Sequence, residues 1–431
     1  MSRGAAKYST FFVVAMILLL VPGQSESSSI SPHFKRYDFH YENVLGTSLE
    51  VKVLADSAAS SEKAEQTVLA KIERERRILS SWDPNSEFSR WFRTEDRPVK
   101  VSPDLYEVLS LFDKWRGLTH GALDASAETV TRVWQHAAAE NRLPTKEELD
   151  AAVVRVHEIH WRLDPVNHTA THTSDVPLAM NSFVKSFIAG RAADAALRTS
   201  GVQGLVVNIG GDLVVRGDWQ ERVDVADPKS DAENGAPIAR LVVQNRAVAT
   251  SGDYRRGVEI GGRHYSHIVD PRTGMTADEI ISSTVIARAP EVAGALATAL
   301  SVLSPEEGAR LISTLPGVEY LLVKKDGERI ESGGWSAFFA PPEQRNYRWQ
   351  TVALHKGVAD KSPSGLWNPR YELDITIDLS LIPGFRVKRP YVAVWIEDEN
   401  HDPVRTISLW FRKYKFLNEL RAWTRAEDMR T

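Results

Sequence analysis

A chain of 431 residues has room for two or three domains, and 42% hydrophobic with 26% charged residues supports a packed core rather than disorder. A net charge of -4, from 53 basic and 57 acidic residues, excludes a chain-wide basic footprint for nucleic acid. There is no cysteine, which excludes disulfides, so the fold must rest on its core alone.

At the N-terminus, Arg3 and Lys7 precede an apolar run from Phe11 to Val21, followed by Pro22, Gly23 and a Ser-rich stretch. A basic region, an apolar core and a small polar region make a secretory signal, and residues 1–31 read as signal and leader. The apolar run is shorter than the ~20 residues that span a bilayer as a helix. An uncleaved anchor is the alternative reading.

His40 to Leu54 reads as two strands broken at Leu45-Gly46-Thr47. Ser60 to Leu79 is a predicted helix with Val68, Leu69, Ile72 and Leu79 on one stripe. A turn cluster, Ser81-Trp82-Asp83-Pro84-Asn85-Ser86, follows. Ser102-Pro103 caps and starts a helix through Trp115, and Gly121-Ala122-Leu123-Asp124 leads into another ending near Trp134. Residues 140–175 are polar and carry no assigned element. A helix is expected over Ser182 to Thr199, then strands at 205–208, 213–216, 221–225, 239–243, 247–250, 257–260, 265–269 and 284–286. Pro290 opens a helix predicted to reach about Ile312. This irregular mixture points to an α+β fold over 32–340. Beyond a linker at Pro341-Pro342, strands are predicted at Gln350–His355, Tyr371–Asp378, Val392–Glu397 and Thr406–Phe411, with a loop at Asp398 to Pro403 and a helical stretch from Phe416 to Met429. Residues 345–431 therefore read as a smaller β-rich domain.

Four segments carry residues suited to chemistry. Leu205 to Asp212 is an apolar strand ending in Gly210-Gly211, where a phosphate can approach backbone N–H groups; a plain tight turn explains it equally. Ala249-Thr250-Ser251-Gly252-Asp253-Tyr254 offers hydroxyls to a phosphate or sugar, or is a polar hairpin turn. His264 to Gly274 presents His267 before an Asp270-Pro271-Arg272-Thr273-Gly274 turn. His267 suits a general base and Arg272 a phosphate partner, whereas a core histidine and a turn-capping Asp270 are the plainer alternatives. In the helix from Pro290, Glu291, Gly294, Thr298 and Ser301 share a small polar side that suits a ligand or metal, or simply close packing.

Together and in this order, these segments resemble the ApbE-type FAD:protein FMN transferases, from about Asn43 to Ala340. The ordered set is specific, above all Ala-Thr-Ser-Gly-Asp-Tyr at 249–254 followed by His-x-x-Asp-Pro-x-Thr-Gly at 267–274. The C-terminal segment, with Val394-Trp395-Ile396-Glu397-Asp398 and Ser408-Leu409-Trp410, is similar to a domain of unknown function sometimes fused to such enzymes. The resemblance implies periplasmic residence and an ApbE-like α+β domain. It implies Mg²⁺-dependent transfer of FMN from FAD to a Ser or Thr of an acceptor flavoprotein of a respiratory or reductase complex, releasing AMP. It assigns FAD contacts to Asp124, Lys185, Asn208, Gly210, Gly211, Asp212, Thr250, Ser251, Gly252, Arg272 and Thr273, catalysis to His267 and Asp270, and Mg²⁺ to Thr298. FAD hydrolysis to FMN and AMP, and non-catalytic FAD binding, are the alternatives.

The chain also departs from that pattern. Gly294 stands where the family has an acidic metal ligand, Gly190 replaces a further acid, and Ala179-Met180-Asn181 replaces Asp-Leu-Gly. Glu291 and Asp270 are the candidate replacements, unless Mg²⁺ is held mainly by the FAD phosphates. On the sequence alone, Gly294→Asp is expected to tighten Mg²⁺ binding, because a helix accepts that change. The C-terminal segment shows no clustered acid–base or metal-ligand set and is expected to dock a partner or shield the site.

We predict that the mature protein begins within Gln24–Ser31. Intact-mass measurement of the exported form checks this, and a mature chain that retains Met1 to Val21 overturns it.

Overall fold

The computed structural model describes residues 34–229, 237–252 and 257–340, together with the backbone of two strands at 392–397 and 403–410. The chain starts with a hairpin, β1 (Lys35–Val44) and β2 (Thr47–Ala55), and then α1 (Ala58–Leu79). There follow α2 (Glu87–Phe92), β3 (Val99–Lys100), α3 (Pro103–Leu118), α4 (Glu128–Ala139) and α5 (Lys146–Val156). Next come β4 (Trp161–Asp164), β5 (Thr169–His172), α6 (Val184–Ala196), β6 (Val202–Ile209) and β7 (Asp212–Gly217). The strands β8 (Glu221–Val225), β9 (Ala239–Val243), β10 (Ala247–Gly252), β11 (Gly257–Ile260), β12 (Arg263–Ser266) and β13 (Ile280–Ala287) precede α7 (Pro290–Val302) and α8 (Pro305–Ser313). Then β14 (Glu319–Lys324) and β15 (Arg329–Glu331) close the domain. A separate antiparallel hairpin pairs β16 (Val392–Glu397) with β17 (Pro403–Trp410).

The centre is an eight-stranded sheet, ordered β1-β2-β6-β7-β10-β13-β14-β15, with every neighbouring pair whose register is defined antiparallel. Strand side chains alternate between faces, and here both faces are covered. Leu205, Val207, Ile209, Val214, Ala249 and Val285 join the cluster built with α1, α3, α6 and α7. Their neighbours Val206, Leu213, Val215, Val248 and Ile286 join a second cluster with β8, β9 and Trp335. A third, smaller cluster packs α4 and α5 on Ile260 and Val269.

The α+β class holds, and several boundaries move. The helix predicted from Pro290 to Ile312 is two helices, because Ser304-Pro305 starts a new one with Glu307 closing a capping box. The polar stretch 140–175 contains α5, β4 and β5; α5 has its own capping box, Thr145 with Glu148, but its buried stripe is only Leu149, Ala152 and Val156. The strand expected over 265–269 ends at Ser266, where the Ser266 hydroxyl takes the Ile268 N–H at 3.0 Å. The strands predicted at 350–355 and 371–378 and the helix at 416–429 lie outside the described residues.

Phe183 leads into α6, is fully buried, and stacks on Phe112 at 4.5 Å between ring centres. We predict that Phe183→Ala lowers unfolding free energy by about 3–5 kcal/mol, the cost of an aromatic cavity in a core. Urea unfolding measures it, and a loss below about 1 kcal/mol means that the site refills and the argument fails.

Candidate active site

One end of the sheet opens on a cavity of about 1650 Å³. That exceeds the roughly 300–1,000 Å³ of ordinary small-molecule sites and suits an elongated dinucleotide. Strand ends, helix starts and the chain leaving β12 all contribute to its wall.

The β6–β7 hairpin turns on Gly210 and Gly211, with φ of +59° and +98°. Two consecutive positive φ values make the tight turn that matches strand twist. A Cβ on Gly210 would lie 2.5 Å from the Thr47 hydroxyl, whereas one on Gly211 would meet nothing within 4 Å. The phosphate-cradle expectation is corrected here. The Gly210 N–H already donates to Ser48 O, and the Gly211 N–H donates to Asn208 Oδ1, both at 3.0 Å. These glycines contribute room beside the cavity rather than free N–H donors.

Asp212 follows this turn and faces α6. The Ser186 hydroxyl is 3.0 Å from its Oδ2. Burial pushes the Asp212 carboxyl up from the ordinary carboxylate value, and the neighbouring Lys185 ammonium and Ser186 hydroxyl oppose that shift. Lys185 itself lines the cavity from the first turn of α6. Thr250, Ser251 and Gly252 enter from the end of β10, with the Thr250 hydroxyl 3.0 Å from that of Thr284. The remainder of that motif, Asp253 and Tyr254, lies outside the described residues.

His267 is exposed and lines the cavity, so the core-histidine reading is excluded. The turn after it is rigid. Asp270 Oδ1 accepts the Arg272 N–H at 2.9 Å, and its two oxygens clamp the guanidinium, which also reaches Glu307 Oε1 at 3.1 Å. Gly274, at φ +75°, packs against Leu149 and Val153, and its carbonyl accepts the Trp134 indole N–H at 2.9 Å.

The structure thus gathers Asp124, Lys185, Asn208, Gly210, Gly211, Asp212, Thr250, Ser251, Gly252, His267 and Thr298 around one cavity. Asp270 and Thr273 instead line a separate cleft of about 180 Å³, and Arg272 lines neither. Asp270 is the turn cap, and Arg272 is spent on Asp270 and Glu307 rather than presented to a phosphate. Asp124 borders the cavity as a cap: its Oδ1 accepts from the Ser126 N–H and hydroxyl, and its Oδ2 lies 2.8 Å from Arg116 Nε. Sequence reasoning passed over Arg76 and the α4 residues Glu128 and Arg132, which also line the wall. It read Trp82 only as part of a turn, yet this indole is 81% exposed on the same wall, and a large exposed aromatic beside Asp-Pro-Asn was a usable signal.

The Mg²⁺ expectation does not fit the residues present. The Thr298 hydroxyl donates to Ser182 O at 3.1 Å, which leaves two neutral oxygens. Glu291 does not line the cavity, and Asp270 is held by Arg272. Among the described residues no group of three or more His, Asp or Glu is placed to hold a metal. The Gly294→Asp change meets an obstacle the sequence did not show: a Cβ at 294 would lie 2.4 Å from Ser186 Oγ and 3.1 Å from Phe183 Cα, so the α6–α7 contact would have to shift. The small side of α7 serves close packing against α6.

Known proteins match this fold and sequence. FAD:protein FMN transferases from Klebsiella pneumoniae and Haemophilus influenzae are each 28% identical, over 67% and 74% of this chain and 84% and 93% of their own. The crystal structure of the ApbE protein from Thermotoga maritima superposes with a TM-score of 0.62 at 25% identity, covering 71% of this chain and all of that one. The flavin transferase ApbE from Vibrio cholerae gives 0.59 at 23% identity, again over 71% of this chain. Residues 372–431 match a predicted periplasmic protein family, DUF2271. The ApbE family model matches residues 45–322, well over half of the chain, and the protein belongs to the ApbE family.

Proposed function

We propose that this chain transfers FMN from FAD to a Ser or Thr hydroxyl of an acceptor flavoprotein and releases AMP. The observation that carries the reading is that an exposed His267 shares one large cavity with Lys185, Thr250 and Ser251. The relatives named FAD:protein FMN transferase support the same substrate. No helix among the described residues is long and apolar enough to cross a membrane, and the match of the C-terminal segment to a periplasmic family supports action outside the cytoplasm. By this reading, residues 32–340 carry the chemistry and 345–431 form the accessory domain.

The chemistry follows from the groups on the wall. Flavin and adenosine are joined by a pyrophosphate, whose charge needs a fixed positive partner in a water-poor cavity. Lys185 supplies it, and the Thr250 and Ser251 hydroxyls are positioned to hold phosphate or ribose oxygens. The acceptor hydroxyl attacks the phosphorus on the FMN side. The new O–P bond forms as the bond to the bridging oxygen breaks, and AMP departs with that electron pair. His267 takes the proton from the attacking hydroxyl. The Asp270–Arg272–Glu307 clamp, anchored further by Trp134, fixes the turn after His267 and so limits where its ring can go.

We predict that His267→Ala lowers transfer by about 10²–10⁴-fold while FAD affinity changes by no more than about threefold, since its role is proton transfer. Purified protein, FAD and an acceptor flavoprotein are incubated together. Fluorescent flavin bound covalently to the acceptor supports the reading. AMP formed equally well without acceptor replaces it with FAD hydrolysis, and FAD bound with no AMP replaces it with a carrier role. Loss of FAD binding in the variant assigns His267 to adhesion instead.

A further inference from the structure

The contact between α6 and α7 is closed at the place where an acidic side chain on α7 would stand. A Cβ on Gly294 would lie 2.4 Å from Ser186 Oγ and 3.0 Å from Ser186 Cβ, so the serine occupies that volume. One step further along the same contact, a Cβ on Gly190 would lie 2.7 Å from Pro290 Cγ. Both glycines are therefore matched to a neighbour on the other helix. Ser186 is itself buried and donates its hydroxyl to Asp212, so moving it aside would strip a partner from a carboxyl that burial already disfavours as an anion.

Among the described residues, each carboxylate on the cavity wall likewise has a partner. Asp124 lies 2.8 Å from Arg116, Glu128 lies 3.1 Å from Arg132, and Asp224 lies 3.7 Å from Arg240. Asp212 rests on Ser186 beside Lys185. A Mg²⁺ ion held by protein takes one or two carboxylates, and among the described residues none on this wall is without a partner. Among the wall cations, Arg76 is paired with Glu73 and Asp83, and Arg132 with Glu128. Lys185 is in no ion pair among the described residues.

From this we infer that the α6–α7 contact has replaced a protein-held divalent cation, so that the chain binds FAD without one and Lys185 neutralises the pyrophosphate. The inference rests on the flavin reading of the cavity. It also makes positions 186 and 294 a coupled pair: an acid at 294 requires a glycine at 186.

The test uses full-length mature protein freed of flavin. FAD affinity is measured by flavin fluorescence in excess EDTA and in excess Mg²⁺, and Mn²⁺ binding to the flavin-free protein by electron paramagnetic resonance. FAD Kd is expected to agree within about twofold between the two buffers, with no Mn²⁺ bound, because the described carboxylates of the wall are already partnered. Lys185→Met is expected to weaken FAD about tenfold or more, the loss of a charge-assisted contact, with Lys185→Arg recovering most of it and circular dichroism unchanged in both. The double variant Ser186→Gly with Gly294→Asp is expected to acquire Mn²⁺ binding. FAD binding that vanishes in EDTA, or stoichiometric Mn²⁺ on the native flavin-free protein, overturns the inference and leaves the flavin reading standing. Unchanged FAD affinity in Lys185→Met overturns the assignment to Lys185. No FAD binding in either buffer overturns the flavin reading itself, and the inference falls with it.

Discussion

Both faces of the central sheet are buried, and the rest of the structure follows from that constraint. A strand with apolar neighbours above and below admits polar groups mainly at its ends, and those buried mid-strand, Ser282, Ser283 and Thr284 of β13, are small hydroxyls. Val206 and Val207 are adjacent in sequence, face opposite ways, and are both fully buried. The polar residues of β6, β7 and β10 that line the cavity accordingly sit at the turn and at the strand terminus: Asn208, Asp212, Thr250 and Ser251. The functional cavity is the region the core leaves open, and its chemistry comes from strand ends and from the helices packed beside them.

Close packing then sets what those helices can offer. α6 and α7 are rich in small residues, with Ala189, Ala192, Ala193, Ala293, Ala295 and Ala299 all buried between or beside them. Small side chains let the helices approach until Ser186 fills the space before Gly294 and Pro290 fills that before Gly190. A closely packed pair of helices has no room for a carboxylate and its ion. Lys185 lines the cavity from the first turn of α6, at the edge of that packing. The third cluster, around Trp134, Leu149 and Val269, does a comparable job for the turn after β12. It holds Gly274 in its left-handed conformation and leaves Asp270 and Arg272 bound to each other.

The sequence by itself determined the family, the α+β class, most strand positions and a part of the cavity wall: Asp124, Lys185, Asn208, Asp212, Thr250, Ser251, His267 and Thr298. Those signals are local: the apolar run Leu205 to Val207 ahead of Gly210-Gly211, the serine cap at Ser102, and the His-x-x-Asp-Pro-x-Thr-Gly spacing at 267–274. The short helix α5 escaped because three buried residues make too weak a stripe, although its capping box was present. Only the tertiary structure decided how each polar group is used. Asp270 and Arg272 belong to a motif that reads as catalytic, yet a two-residue spacing allows them to satisfy one another, and Glu307, 35 residues away, completes the clamp. Gly294 reads as a missing ligand along one helix and becomes a packing contact only when Ser186 of another helix is placed against it. Hydrogen-bond partners and close contacts are set by residues distant in the chain, and no local pattern encodes them.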